Sequence, residues 1–421
     1  MSKPRVGAVA ADSGRPADEL RARLVDGLLQ SGVIRSGAVA EAFRTVPRHL
    51  FVPQVAVGEA YADEAIPTRW SPDGLPVSSS SQPSIMAVML EQLGLEPGQR
   101  VLEIGAGTGY NAALISRLVG PTGTVVTVDI DPDVVVEARA HLAVAGMPGV
   151  TVVCADGAAG WPGGAPYDRI VLTVGAWDLA PAWLEQLGAG GRMLLPLSLG
   201  GVQRAVAFER AADHLRSVSV KDCGFMRLRG AFAGPETARL LGDRPGLFVE
   251  LDDERPVDTA ALYAALSEPG AEVRTGVRVG ASELWGGLSL WLALHEPDLG
   301  GLSAIGAAVR LGLVPELVVF PGQVGTRVLV GAAGLAALVR VDGTEDGGRF
   351  ELAVRGLGAG SGPLADRLAA QVAAWDAHGR PATDGLRIRA YPAGTPAVGS
   401  TVIDKRHTRL VLDWGGAAGE A

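Results

Sequence analysis

Cysteine is nearly absent from this sequence: Cys154 and Cys223 are the two found among 421 residues. Two are too few for a disulfide framework, and each sits in or beside an apolar segment, where core packing is the expected role. The six histidines are scattered without a paired spacing, so no metal-ligating set is expected. Long hydrophobic runs are missing as well. The longest uncharged apolar stretch, residues 284–294, is too short to span a bilayer and runs into His295 and Glu296. Residues 1–16 have no apolar h-region of the kind a secretory signal carries and read as a disordered lead-in. Nor is positive charge in excess. A net charge of −9 counts against a duplex nucleic-acid binder, which shows a basic footprint, and leaves a peptide substrate open. We therefore expect a cytoplasmic protein without a membrane or nucleic-acid partner, its oligomeric state open.

Hydrophobic residues make up 48% of the chain, and its length favours two domains or more. The organising stretch is R-V-L-E-I-G-A-G-T-G-Y-N-A-A-L-I, residues 100–115. Its apolar start, interrupted by Glu103, reads as a buried parallel strand, and Gly105, Gly107 and Gly109 form a tight turn. Ala112, Leu114, Ile115 and Leu118 then supply the buried positions of a helix. A strand passing through a glycine turn into a helix sets backbone N–H groups and the positive helix end beside a ligand. Glycine lets that ligand approach the main chain where a Cβ would clash. A dinucleotide fingerprint needs glycine at the first, third and sixth positions of the turn, and the sixth here is Tyr110. The pattern E-x-G-x-G-x-G instead resembles motif I of class I S-adenosyl-L-methionine-dependent methyltransferases. Any tight turn can look like this, so downstream residues decide.

Residues 124–129, T-V-V-T-V-D, give a second strand ending in Asp129, where nucleoside-binding folds place a carboxylate on ribose hydroxyls. Asp131, ahead of Pro132, is the better helix N-cap. Residues 150–154 form a third strand followed by Asp156 and Gly157. Residues 168–173 form a fourth, ending in Thr173, and residues 190–197 a fifth after a helix over 181–187. Strands alternating with helices give a parallel sheet covered on both faces, an α/β, Rossmann-like fold. Residues 204–210 and 214–223 alternate as a closing antiparallel pair. In the methyltransferase pattern Asp156 faces the adenine. The cofactor-binding positions implied are Glu103, Gly105, Ala106, Gly107, Thr108, Gly109, Asp129, Ile130, Asp156, Gly157 and Thr173.

Ahead of this unit, Leu20, Leu24, Leu28 and Leu29 fall at helical spacing, Gly32 breaks the pattern, and Ser36 can cap a second helix through Phe43. Residues 50–52 between prolines read as a packed extended segment and residues 60–67 as an irregular loop. Residues 77–84 read as a serine-rich loop opening an amphipathic helix with Ile85, Val88 and Met89 on one face. Serines before a proline and a helix are ordinarily caps and turns. Taken in order, however, P-R-H-L-F-V-P, A-Y-A-D-E-A-I-P, S-x-S-Q-P-S-I-M, L-E-I-G-A-G-T-G-Y and D-G-A-A-G-W-P-G-G-A-P-Y-D resemble the protein-L-isoaspartate O-methyltransferase family block by block.

That resemblance implies S-adenosyl-L-methionine as cofactor, S-adenosyl-L-homocysteine as its product, and a peptide carboxylate as methyl acceptor. It puts Ser81 in the loop that meets the substrate carboxylate, with Ser79 at a position usually threonine, as the expected catalytic pair. Ser80, Gln82, Pro83 and His49 are the expected substrate-binding neighbours, although a packed or capping histidine also suits His49. Ser80 departs from the family's hydrophobic residue. A carboxylate with a pKa of about 4 is already ionised at neutral pH, so no strong base is required and positioning is the protein's contribution.

Residues 230–256, rich in Gly, Pro and charge, mark the expected boundary between a methyltransferase domain, 17–232, and an extension, 233–421. The extension reads as a smaller α+β domain for substrate recognition or oligomerisation. Its expected helices lie at 258–266, 282–295 and 364–375, and its strands within 324–341, 386–390 and 409–414. Trp285 and Trp291 are expected in its core. Extended relatives occur in the biosynthesis of ribosomally made peptides (lanthipeptides, graspetides and FxLD-type systems). They methylate a particular Asp of a modified peptide and so install a succinimide or isoaspartate. The extension and the altered serine loop favour that group. The nearest rival is a general isoaspartyl repair enzyme with an accessory domain. A non-catalytic binding module of the same fold is the other alternative, and intact Glu103, Gly105, Gly107, Asp129 and Asp156 argue against it.

Overall fold

The structure, a computed structural model, describes residues 16–71, 76–235, 238–242, 245–320 and 322–415. The expected lead-in, apart from Pro16, lies outside the described residues. Two compact units divide the chain. The first holds the described residues up to Pro196 with Ala205–Ser219 and Cys223–Ala233, and the second holds Leu197–Arg204, Val220–Asp222 and those from Gly234 onward.

In the first unit, α1 (Ala17–Gln30) and α2 (Gly37–Thr45) pair through Val25, Leu28, Val39 and Phe43. Ser36 caps α2 by accepting the Val39 N–H, a contribution of about 1 kcal/mol. Residues expected to be extended form a 3-10 turn, Arg48–Phe51, because Phe51 and Val52 are both fully buried and the chain must curl to bury them together. After α3 (Val57–Ala60), the expected loops become a hairpin: β1 (Ile66–Trp70) pairs antiparallel with β2 (Pro76–Ser80), Ile66 opposite Ser80 and Pro67 opposite Ser79. Much of the tetra-serine segment is thus strand. In α4 (Pro83–Leu93) the buried face is Met86, Met89, Leu90 and Leu93, with Ile85 and Val88 half-buried, a phase set by Pro83 at the first turn.

The main sheet contains β3 (Arg100–Ile104), β4 (Thr124–Asp129), β5 (Val150–Cys154), β6 (Tyr167–Leu172), β7 (Leu187–Leu199), β8 (Val202–Arg210) and β9 (Leu215–Asp222). Their spatial order is β9-β8-β7-β6-β3-β4-β5, and β7, β6, β3, β4 and β5 run parallel. The helices α5 (Tyr110–Val119), α6 (Pro132–Val144) and α7 (Pro181–Gln186) connect them. Val101, Leu102 and Ile104 are all buried, the continuous run a sheet covered on both faces requires. Strand β7 starts earlier than expected, directly at the end of α7. At the C-terminal end of edge strand β5 Cys154 is exposed, not a core residue, while Cys223 is half-buried.

The second unit is built on an antiparallel sheet in the order Ala238–Leu240, Leu247–Leu251, Leu299–Ile305, Gln323–Val330, Gly334–Arg340, Phe350–Gly358, Pro269–Val279. Two of these strands lie inside the segment expected as a linker. On one face Ser361–Ala377 sets Leu368, Val372 and Trp375 against Leu329, Leu338 and Leu352. On the other, Thr259–Ala265 adds Leu262 to Val249, Leu302 and Val328. Trp291 is buried, but Trp285 is 38% exposed and is not the core residue expected. No described helix is long and apolar enough to cross a membrane.

Candidate cofactor and acceptor site

Everything at the glycine turn follows from how closely β3 passes its neighbours. Gly105 has φ +104°, and a Cβ there would lie 2.7 Å from Thr173 Oγ1 and 3.0 Å from Val174 Cγ1. Only glycine fits. Gly107, at φ +50°, turns the position of its missing Cβ toward the Ser79 carbonyl at 3.4 Å, so the turn runs alongside β2. Gly105 and Ala106 donate their N–H groups to the Val128 carbonyl at 2.8 and 3.2 Å, which locks the turn onto β4. The Thr173 hydroxyl donates to the Gly105 carbonyl at 2.6 Å, making it a brace of the turn. Ala106 and Thr108 are buried and can offer a ligand only main chain; His141 Nδ1 donates to the Thr108 carbonyl at 3.0 Å. Gly109 begins α5, its carbonyl accepting from Ala113 at 3.0 Å.

At the end of β4 the half-buried Asp129 accepts from the Gly107 and Asp131 N–H groups, both at 3.2 Å. Ile130 beside it is half-buried, and Asp131 caps α6 through the Asp133 N–H. One acidic position departs from expectation. Glu103 points into the protein, fully buried, accepting from Asn111 Nδ2 at 2.7 Å and Thr127 Oγ1 at 2.6 Å. Burial pushes its carboxyl up to about 7 despite those two bonds. It braces the strand–turn–helix joint from within and does not face a ligand. Asp156 accepts from the Ala158 N–H at 2.9 Å and the Ala231 N–H at 2.7 Å, one bond per oxygen. These bonds clamp its own turn to the chain near Gly230, and each oxygen keeps a further lone pair. Gly157 is buried, and its carbonyl accepts from Trp183 Nε1 at 2.8 Å.

Facing the turn is the serine segment. Ser79 and Ser81 are half-buried, whereas Ser80 points inward at 2% exposure with its hydroxyl unpaired. Ser80 and Pro83, both expected as substrate-binding neighbours, have their side chains buried in the protein. Gln82 Nε2 donates to the Asp63 carbonyl at 2.9 Å, and Asp63 Oδ1 accepts from the Ser84 N–H at 2.8 Å, tying the A-D-E loop to the start of α4. His49 meets the Tyr61 hydroxyl through Nδ1 at 2.9 Å, and burial lowers its pKa.

One residue that sequence reasoning missed organises this whole side. Arg48 is fully buried. Its Nη1 donates to the carbonyls of Ala60 and Ala62 at 2.9 and 3.1 Å. Its Nη2 donates to those of Glu64, Ser80 and Ser81 at 3.1, 3.4 and 3.0 Å. A single guanidinium fork thus sets the main chain on both sides of Ser81. The signal was an arginine just ahead of the apolar L-F-V stretch of the P-R-H-L-F-V-P run. The hairpin is pinned from outside by Arg69, which pairs with Glu137 of α6 at 2.9 Å.

These residues fit S-adenosyl-L-methionine: the turn brings a main chain without side chains at Gly105 and Gly107 beside β2, and Asp129 offers a carboxylate next to it. Gly105 to Gly109 would hold the cofactor by main chain and Asp129 by its side chain. Among the described residues, no group of three or more His, Cys, Asp or Glu could hold a metal ion.

The family model described as protein-L-isoaspartate(D-aspartate) O-methyltransferase (PCMT) matches residues 19–231. The protein-L-isoaspartate O-methyltransferase of Methanopyrus kandleri is 40% identical over 221 residues, covering 52% of this chain and 95% of that protein. The protein-L-isoaspartate O-methyltransferase 2 of Archaeoglobus fulgidus is 38% identical over 218 residues, covering 51% of this chain and 95% of that protein. A solved structure of a protein-L-isoaspartate O-methyltransferase aligns with a TM-score of 0.49 and 25% identity, over 88% of this chain and 96% of that one.

Proposed function

The chain belongs to the protein-L-isoaspartate O-methyltransferase family, and from that premise we propose that it esterifies an aspartyl or isoaspartyl carboxylate in a peptide, the acceptor lying against Ser79 and Ser81. The observation that carries this reading is the approach of the glycine turn to β2, Gly107 against the Ser79 carbonyl. S-adenosyl-L-methionine supplies the electrophilic methyl group when bound. The chain's own part is placement. A serine hydroxyl at Ser81 orients one carboxylate oxygen, and Arg48 fixes the main chain from which that hydroxyl projects. The buried guanidinium also puts a poorly screened positive charge behind a loop that must receive an anion. Since the acceptor is already ionised, orientation and exclusion of water are what remain to be supplied.

The finer reading is that the acceptor is an Asp of a ribosomally synthesised, modified peptide. Esterification makes the carboxyl a good electrophile; the following peptide nitrogen attacks it, methanol leaves, and a succinimide forms that water opens to aspartate or isoaspartate. Two observations favour this over general repair: a second unit of about 190 residues beyond the family match, and Ser80 in place of an apolar residue. The second unit then serves peptide recognition. General isoaspartyl repair also fits the family and is the alternative. Turnover of short isoaspartyl peptides should be compared with turnover of a precursor peptide encoded beside this gene, by mass spectrometry for a methyl gain followed by methanol loss. Broad methylation of isoaspartyl peptides with no reaction on the precursor would establish the repair reading instead.

A further inference from the structure

The second unit holds a hollow of about 120 Å³ that the methyltransferase chemistry does not use. It lies where the core on the sheet face covered by Ser361–Ala377 stops. Leu299 and Leu329 pair across two strands and are buried in that core. Two residues further along, the same face carries Gly301 opposite Arg327, then Ser303 opposite Gly325. The two glycines leave the floor open, and Leu284, Leu317 and Val318 supply apolar wall.

Two polar groups lining it are short of partners. Ser303 is 7% exposed, and its buried hydroxyl has no hydrogen-bond partner. Arg327 makes one long bond, from Nη1 to the Gly201 carbonyl at 3.4 Å, leaving most of its donors unused. Burial disfavours its charge, and nearby Arg204 adds to that, while Glu250 favours it. Glu250, on the neighbouring strand opposite Gly301, is exposed at the rim and makes no ion pair with Arg327. A missing Cβ at Gly301 would sit 3.6 Å from Glu250 Oε2 and 3.8 Å from Arg327 Nη1, so the two charges flank one opening.

An apolar ligand would leave Ser303 and Arg327 unsatisfied, a costly arrangement. A cation would meet the Arg327 guanidinium. An anion with a neighbouring N–H meets both charges, and the space admits a group of side-chain size, since a cavity of roughly 150 Å³ holds benzene. We propose that this hollow binds a carboxylate carried on a peptide, taken by Arg327, Ser303 and Gln323, with Glu250 accepting the adjoining N–H. This gives the peptide-recognition role a location and rests on the peptide-substrate reading above.

The test is calorimetric titration of the full chain with three acetylated tetrapeptides. One carries a glutamate and a C-terminal amide, one has neutral side chains and a free C-terminal carboxylate, and one is neutral throughout. One or both carboxylate peptides should bind at least tenfold more tightly than the neutral one, and which of them binds separates a side-chain from a terminal carboxylate. Arg327→Gln should cost about tenfold or more, Arg327→Lys less. Gly301→Val, whose Cβ has only ordinary contacts, should abolish binding by filling the space. Unfolding midpoints check that each variant is folded. Equal affinities for wild type, Arg327→Gln and Gly301→Val, or equal affinity for the neutral peptide, would overturn the proposal. Methyl transfer by the wild-type chain is measured separately. Arg327-dependent binding without methyl transfer would refute only the activity, and methyl transfer without Arg327-dependent binding only this site.

Discussion

Replacing Glu103 by glutamine is expected to flatten the pH dependence of stability. The carboxyl is fully buried, and burial raises its pKa from 4.5 to about 7, while bonds from Thr127 and Asn111 pull the other way. Between those two values the folded chain holds a proton that the unfolded chain has released. The stabilising contribution is therefore complete below the unfolded value and is lost as pH rises through about 7. At ~1.4 kcal/mol per unit the full shift is worth about 3 kcal/mol. Glutamine has nearly the same shape and no proton to lose. Its oxygen can accept from Asn111 and its amide can donate to the Thr127 hydroxyl, so both existing contacts survive. Urea unfolding followed by circular dichroism, without cofactor, should show wild type and Glu103→Gln within ~1 kcal/mol at about pH 5. By about pH 8.5 the variant should be ahead by ~2–3 kcal/mol. A difference that stayed constant across that range would show that Glu103 does not titrate in the folded chain.

Three further outcomes follow from the site. Ser81→Ala should leave the S-adenosyl-L-homocysteine dissociation constant within ~2-fold and lower kcat by ~10–100-fold; parallel losses in both would contradict an orienting role confined to the acceptor. Asp129→Ala should do the reverse, raising that dissociation constant by ~10–100-fold, because it removes a charged acceptor and releases the Gly107 N–H. Ser80→Ala deletes a buried hydroxyl with no partner and should raise stability by about 1 kcal/mol in a denaturant titration; a loss of stability would reveal a partner for it.

The sequence makes the methyltransferase core legible because its signals are local. Five parallel strands, the glycine turn, the Ser36 and Asp131 caps and the helices between them depend on side-chain period and on near neighbours. What it hides depends on partners far along the chain. The serine segment resembles a loop because serine has little preference for a strand. It becomes one through pairing with Ile66–Trp70 and through a guanidinium more than thirty residues upstream. Glu103 and Asp156 occupy motif positions, and a motif gives position, not the direction of a side chain. That Glu103 turns inward is decided by its partners Asn111 and Thr127. Trp285 is a similar case, since helical spacing alone does not tell which turn the core covers.

Arg48 shows why the acceptor side resists local reading more than the cofactor side does. The cradle is made by glycines that a sequence displays openly, each forced by a backbone angle or a neighbour such as Thr173. The acceptor loop has no such marker: it is held by five carbonyls converging on one buried cation, and any residue type can supply a carbonyl. That arrangement leaves the side chains of Ser79 and Ser81 uncommitted to fixing their own backbone. At the intervening position the support reaches the Ser80 carbonyl and not its hydroxyl. Exchange of the side chains at 79–81 should therefore leave the support from Arg48 in place, since it reaches carbonyls only.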